Sequence, residues 1–269
     1  MPNPHRSAGY SVKKKCVVFF CLLLVFTGTV SVGEKVLIYT KNGKGFVHKN
    51  IPSSVACLEK ICQQQGWDYE VSDDPSIFTR QKISTFDVLV FSNTNNETFD
   101  TDEQRQVFKD YIQGGGGFVG IHSACGSERK WPWFWACLGG KFEWHPPLQP
   151  FEIHVIDPEH LSTAHLPDVW TWEDESYFLN ELNPDIHVLL AVDLRTIKDM
   201  GKDNKPKPRI FGDYFPLAWC HQFDGGRQWY TALGHKNEHY EDENFIKHLT
   251  GGIQWAMAKE TAKTSCGKD

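Results

Sequence analysis

The run from Gly114 to Ala124 constrains this chain more than any other: four glycines, then Phe118, Val119, Gly120, Ile121, His122, Ser123 and Ala124. An apolar run of strand length, entered from glycines and closed by a histidine, is the pattern of a buried strand whose last side chain emerges at the carboxyl edge of a sheet. Open α/β sheets keep their ligands at that edge. Alternation sets Phe118, Gly120 and His122 on one face, and the small Ser123 and Ala124 suit a sharp turn beside a ligand. His122 is therefore the first candidate for chemistry, against the plainer reading of a hydrogen-bonded histidine at a strand end. The glycines do not make a nucleotide loop. Phosphate-binding glycines follow a strand and open a helix, whereas these close a predicted helix and precede a strand.

The flanking segments keep the same rhythm. Residues 35–40 (KVLIYT) predict a strand, residues 41–45 a turn, and Val55, Leu58, Ile61 and Cys62 lie at helical spacing until Gly66 ends the helix. Further strands are predicted over 69–71 and 86–91, and a helix over about 102–112 returns the chain to the central strand. Strand alternating with helix predicts an α/β fold, a doubly wound and mainly parallel sheet. Beyond it come an aromatic insertion holding Trp131 and Trp133, strands over 151–156, 169–172, 186–193, 216–223 and 229–233, and a last amphipathic helix over about 242–257. Grouped indoles either stack on sugar faces or roof a core, and the roof is the plainer reading. Glu173, Asp174 and Glu175 follow Trp172 directly. Three acids in a row usually make a solvated turn, yet between aromatics a carboxylate can be desolvated and its pKa raised.

Residues 1–32 differ from the rest. Arg6 and Lys13 to Lys15 form a basic leader, and the apolar run from Cys16 to Phe26 is short for a bilayer span and runs out in small residues. This is the pattern of a cleaved signal peptide, cut after Ser31 or Gly33, with an uncleaved anchor as the alternative. The expected organisation is a signal over 1–32, one α/β domain over 33–258 and a tail over 259–269, in a protein secreted or held in a periplasm. Once the leader is gone, 24 of the 28 Lys and Arg face all 34 acids, a net charge of about −10. That excludes nucleic acid as a natural partner and leaves no membrane contact. Six of the eight cysteines remain, an even number for an oxidising compartment. Their pairing is not readable, although Cys57 and Cys62, five apart on one helix, point away from each other.

Two further patterns resolve against the obvious chemistry. His235 to His239 spells H-x-x-E-H, a zinc-protease pattern that needs both histidines on one helix face; Gly234 and the strand before it put His235 at a strand exit instead. Cys125 lies three residues past His122, but a cysteine hydrolase holds its thiol at the strand-to-helix elbow itself, and there the chain has His122. The topology brings His48, His122, His145, His221 and His235 toward loops at the strands' carboxyl ends. Converging imidazoles with a carboxylate make either a metal site or an acid–base pair.

Taken together, KGFVHKNIP (44–52), FSNT (91–94), GGGFVGIHSA (115–124), WPWF (131–134), HLP (165–167), AWCHQFDGGRQWYTALGH (218–235) and HLTGGIQWA (248–256) resemble the ThuA-like, trehalose-utilisation family over nearly all of 35–258. The resemblance implies a flavodoxin-like, three-layer α/β fold related to class I glutamine amidotransferases, with His122 where their nucleophilic cysteine would stand. It implies a role in carbohydrate use, on disaccharides such as trehalose and their 3-keto derivatives. Carried onto this chain, it names His122, Glu175 and Asp174 as catalytic and His48, Asn93, Trp131, Trp133, Arg227 and His235 as substrate-binding. His145 and His48 are the candidate ligands should a divalent metal be bound; the cofactor is otherwise unknown. Two departures bear on substrate: Glu128, Arg129 and Lys130 stand where the family often has an acidic-aromatic sequence, and Ser176 breaks the usual D-E-W-Y. The leading expectation is an exported enzyme that moves protons on a keto-sugar or keto-disaccharide, with a small carbohydrate as its partner. The alternative is a non-catalytic carbohydrate-binding or assembly module on the same fold, and cysteine-dependent amide hydrolysis ranks last.

Overall fold

A computed structural model describes Met1, residues 33–198 and residues 212–258. The leader, the tail and most of the lysine- and proline-bearing segment over 198–208, whose composition reads as a charged loop, lie outside the described residues. Among the described residues no helix is long and apolar enough to cross a membrane.

The first half alternates strand and helix: β1 (Lys35–Tyr39), α1 (Ile51–Gln65), β2 (Asp68–Ser72), α2 (Arg80–Ile83), β3 (Val88–Ser92), α3 (Asp102–Gln113) and β4 (Gly117–Ile121). Every residue of β3 and β4 is buried, as unbroken apolar runs covered on both faces require. Local signals set the helix ends. Gly66 closes α1 in the left-handed conformation, φ +73°, and Thr101 opens α3 through a reciprocal capping box with Gln104. The second half holds α4 (Pro132–Leu138), β5 (Lys141–Trp144), β6 (Gln149–Val155), β7 (Val169–Asp174), β8 (Phe178–Asn180), β9 (His187–Asp193), β10 (Tyr214–Phe223), β11 (Gly226–Thr231) and α5 (Glu243–Met257).

The main sheet runs β2-β1-β3-β4-β11-β10-β9-β6-β7, and β5 pairs with β8 in a separate ribbon. From β2 through β11 neighbours are parallel; beyond β11 they are antiparallel. The expected α/β architecture stands, and the parallel half carries the site. Phe118 packs on Phe108 of α3 and Phe134 of α4, whereas Trp229, paired with Val119, faces His248 and Gly252 of α5. Alternation along β4 and β11 thus puts α3 and α4 over one face and α5 over the other, the three layers of a doubly wound domain.

The glycine run before β4 has a packing role. Gly115 adopts φ +92°, which a side chain would strain, and a Cβ at Gly117 would lie 2.5 Å from the Ala256 carbonyl oxygen, main chain that cannot move aside. These residues end α3 and let β4 pass beneath the last turn of α5.

Buried histidines outside the site make stability fall in acid. His248 is fully buried, its Nδ1 2.8 Å from the Ser162 carbonyl and its Nε2 3.2 Å from the Thr231 hydroxyl. Burial pushes its pKa from 6.5 down to about 3. Because the folded value lies below the unfolded one, the stabilisation is complete above pH 6.5 and is lost as pH falls toward the folded value, at about 1.4 kcal/mol per pH unit. Urea unfolding at pH 6.5 and 4.5 should show His248→Gln losing roughly 2 kcal/mol less than the wild type over that interval. Equal losses would show that His248 does not titrate in this way.

Candidate functional site

Three strand exits at the carboxyl edge of the parallel strands supply the imidazoles. His48 lies in the loop between β1 and α1, His122 directly follows β4, and His235 follows β11 through Gly234 at φ +116°. His122 itself has φ +51°, a left-handed conformation that costs a non-glycine residue about 1 kcal/mol or more. Local bonds hold it there: Nδ1 is 2.7 Å from the Ala232 carbonyl, and its own carbonyl accepts from the Tyr230 hydroxyl at 2.8 Å. The carboxylate arrives from the antiparallel half, where Glu175 follows the last residue of β7.

His235 Nδ1 lies 3.1 Å from Glu175 Oε2 and 3.3 Å from His122 Nε2, and His122 Nε2 lies 4.0 Å from the same oxygen. The other carboxylate oxygen, Oε1, is 3.6 Å from His145 Nδ1. The His48 ring meets His122 edge-on at a centroid distance of 4.8 Å, and the Tyr177 ring lies tilted by 30° over His122 at 4.3 Å. The Tyr177 hydroxyl is 3.3 Å from His48 Nε2. Above the cluster opens a cavity of about 330 Å³, whose walls include His48, Ser123, Arg129, Phe142, Glu175 and Tyr177. That volume suits a small ligand.

Burial sets the charge states. It holds His122 far below its usual pKa, with the neighbouring His48 adding to the effect, and lowers His48 to about 4 with help from His235. Both rings are neutral at physiological pH. His235 is raised, first by its hydrogen bond to Glu175. For Glu175 burial acts upward, but the hydrogen bond from His235 and the charges of His145 and His235 outweigh it and keep the carboxyl below its usual range. The site is a set of imidazoles around one ionised carboxylate, part of it open to a cavity.

The structure therefore brings together five of the sequence-derived candidates: His48, His122, His145, Glu175 and His235. The others serve elsewhere. Asp174 is fully buried and accepts from the backbone N–H of Gly234 at 2.9 Å and of Glu175 at 2.7 Å, and from the Trp172 indole at 3.1 Å. It anchors the two segments that carry His235 and Glu175, and burial pushes its own pKa up. Asn93 is buried below the site, bonded to Asn50 and Tyr240. Trp131 and Trp133 stack on each other at 5.2 Å over Phe108, and the Trp133 indole donates to Asp224 at the opposite edge of the sheet. They roof the core. Arg227 opens β11, and because β11 runs parallel to β4 its start lies at the amino edge, where Arg227 donates to the Trp255 carbonyl and lines a hollow of about 690 Å³ with Gly114 to Gly116. His221 is carried to the same far edge because β10 is antiparallel; its Nε2 is 2.8 Å from the Cys137 carbonyl. His122 is itself not on the cavity wall, being fully enclosed by its neighbouring rings.

Sequence reasoning passed over Tyr177, Ser123, Phe142 and Arg129 as site residues. Tyr177 and Ser123 sit within two positions of Glu175 and His122, so adjacency could have found them. Phe142 and Arg129 come from the insertion, and nothing in their spacing points to the cavity. Cys125 is buried, its thiol against the His122 carbonyl at 3.4 Å, and burial pushes its pKa up to about 12. A thiol in that state is no nucleophile. His239, last of the H-x-x-E-H pattern, lies in a 3-10 turn with Nδ1 3.4 Å from Asp174, not on a helix face shared with His235.

Comparison with known proteins agrees with this fold. The profile of the ThuA family, described as trehalose utilisation, matches residues 35–256. A crystal structure of a protein described as ThuA-like from Bacteroides uniformis superposes with a TM-score of 0.70 at 24% identity, over 88% of this chain and 97% of that one. Another, from Parabacteroides merdae, gives 0.65 at 22%, over 86% and 92%. A protein described as part of a GMP synthase, from Thermoplasma acidophilum, gives 0.50 at 13%, over 83% and 94%. At these identities the likeness bears on the fold alone. No match is found among curated protein sequences.

Proposed function

The chain belongs to the ThuA family of trehalose utilisation, and from that premise we propose that it is an exported enzyme acting on a keto-sugar or keto-disaccharide, such as a trehalose derivative, by proton transfer beside the carbonyl. Family membership supports carbohydrate utilisation in the broad sense; the finer reading is our inference from the site. One observation carries it. A single ionised carboxylate, Glu175, stands at the wall of a small cavity with His145 3.6 Å from its Oε1.

A carbonyl acidifies the neighbouring carbinol C–H, so a carboxylate in reach can take that proton while an imidazolium gives one to the carbonyl oxygen. Glu175 Oε1 and His145 suit these two roles. Return of the protons to the exchanged positions moves the carbonyl by one carbon, and no other reactant is needed. His122, expected as base or acid, is sealed beneath the cavity and instead supports the floor through Tyr177 and His48. Phe142 and Tyr177 give a pyranose two aromatic walls. Export rests on the basic and apolar leader, which N-terminal sequencing of secreted protein would test.

The same walls favour a second reading, a carbohydrate-binding module without chemistry. Incubation with trehalose and with its 3-keto derivative in deuterated water separates the two. An enzyme should exchange the C–H next to the carbonyl and yield an isomer or cleavage product from the keto form alone. Saturable binding without exchange would leave the module.

A further inference from the structure

The hydrogen-bond geometry beneath the cavity leaves too few hydrogens for its acceptors. The Ala232 oxygen can only accept, so the His122 nitrogen 2.7 Å from it carries the hydrogen. In the neutral ring Nε2 then presents a lone pair, and it faces His235 Nδ1 at 3.3 Å and Glu175 Oε2 at 4.0 Å. His235 Nδ1 is also 3.1 Å from that oxygen. One hydrogen on His235 serves either the carboxylate or the imidazole. His48 adds a third ring, 95% buried, whose Nδ1 has no hydrogen-bond partner.

We propose that His48, His122, His235 and Glu175 together bind one divalent first-row transition ion, for which zinc is the best fit. Ligand atoms from these four residues lie within 4.8 Å of one another. An ion with bonds of about 2.0–2.1 Å in a tetrahedral array spaces its ligands about 3.3 Å apart, close to two of the three separations above. Imidazole-rich sets with one carboxylate suit zinc and its neighbours rather than calcium or magnesium. The supporting bonds are those of a metal site: the Ala232 carbonyl fixes the His122 tautomer, and the Tyr177 hydroxyl orients His48. The strained backbone of His122, φ +51°, is what aims that ring inward. The other described cluster of potential ligands, Glu152, His154 and Asp193, is a poorer case, because Arg195 already holds both oxygens of Asp193 at 2.8 and 2.6 Å.

This site shares its location with the proposed enzyme chemistry and adds an electrophile to it. Glu175 turns Oε2 toward the imidazoles and leaves Oε1 on the His145 side, so one carboxylate can ligate and still accept a proton. A bound ion would supply Lewis-acid polarisation of a ligand carbonyl.

Full-length protein made without a histidine tag, stripped with chelator and given zinc or cobalt alone, should retain about one ion per chain by mass spectrometry, and cobalt should give the strong visible bands of a four-coordinate site. His235→Ala should lower the retained ion at least tenfold and abolish the bands, and Tyr177→Phe should weaken affinity about 10-fold. Glu175→Gln, which is isosteric, keeps the test decisive should His235→Ala fail to fold. Wild-type protein that retains no ion, or variants that retain as much as wild type, would overturn the proposal. Stoichiometric ion in a protein inert toward keto-sugars would overturn the enzyme reading and leave the metal site. Turnover by wild-type protein that retains no added ion would do the reverse.

Discussion

Glu175→Gln should lower kcat on a keto-sugar by about 10²- to 10⁴-fold, the usual contribution of a positioned general base. The substitution keeps the shape of the side chain, and the backbone bond from Glu175 N–H to Asp174 at 2.7 Å does not involve the carboxylate. Folding stability should change by less than about 1 kcal/mol. What goes is the charge, and with it the acceptor that faces both His145 and His235. His145→Gln should cost less, because water in the cavity can replace an acid more readily than a fixed base. Asp174→Asn should act differently again: its carboxylate touches only the supports of the site, so its loss should lower stability along with activity. A Glu175→Gln enzyme within about tenfold of wild type would remove Glu175 from the base role.

The largest stability effect is expected at Glu128, outside the reacting groups. Its Oε1 accepts from the backbone N–H of Thr98 at 2.9 Å and of Phe99 at 3.1 Å, and its Oε2 accepts from Arg105 Nε at 2.7 Å. The carboxylate is only 5% exposed. Glu128→Ala leaves two buried backbone donors and the Nε–H of Arg105 without their acceptor, while Asp102 and the Phe99 carbonyl still hold the rest of the guanidinium, a loss of roughly 3–5 kcal/mol. For a domain of this size each kcal/mol lowers Tm by about 2–4 °C, so thermal denaturation should shift down by roughly 6–20 °C. The effect reaches the site as well. Glu128 ties the segment after β3 to the turn after His122, and that turn carries Ser123 and Arg129 on the cavity wall. KM for a ligand of the cavity should therefore rise even at temperatures where the variant is folded. A Tm within about 2 °C of wild type would show that these donors find water instead.

How much of this was legible can be argued element by element. Alternation and glycine punctuation were enough for β1, α1, β3, α3 and β4, because burial on both faces imposes an apolar run and helix ends impose their own residues. The emergence of His122 at the edge of β4 followed from the same logic. The acidic run was harder. Glu173 and Asp174 continue β7, whose burial alternates with Trp170, Trp172 and Asp174 inside; the alternation was there to be read, but acids after a tryptophan suggest solvent first. Arg227 and His221 were misplaced for a different reason. Period-two patterning says which face a residue takes and is silent on which way the strand runs: Arg227 opens a strand parallel to β4 and so starts at the amino edge, whereas the antiparallel pairing of β10 carries His221 back to that same edge. For Trp131 and Trp133 the grouped indoles by themselves favour a roof over the core and only the family resemblance assigns them to substrate; the indole of Trp133 bonded to Asp224 and the stacking over Phe108 agree with the roof.

The amino-acid sequence by itself determined the layered α/β architecture, the family and the identity of the elbow residue, since each depends on local periodicity or on short ordered motifs. Tertiary structure alone decided that His221 stays apart from the four histidines that meet, that one carboxylate of three reaches them, and that His122 lies under the cavity instead of on its wall. The reason is physical. Burial and backbone conformation are written into neighbours along the chain, whereas the approach of His48, His122, Glu175 and His235 is set by strand order and direction across the sheet.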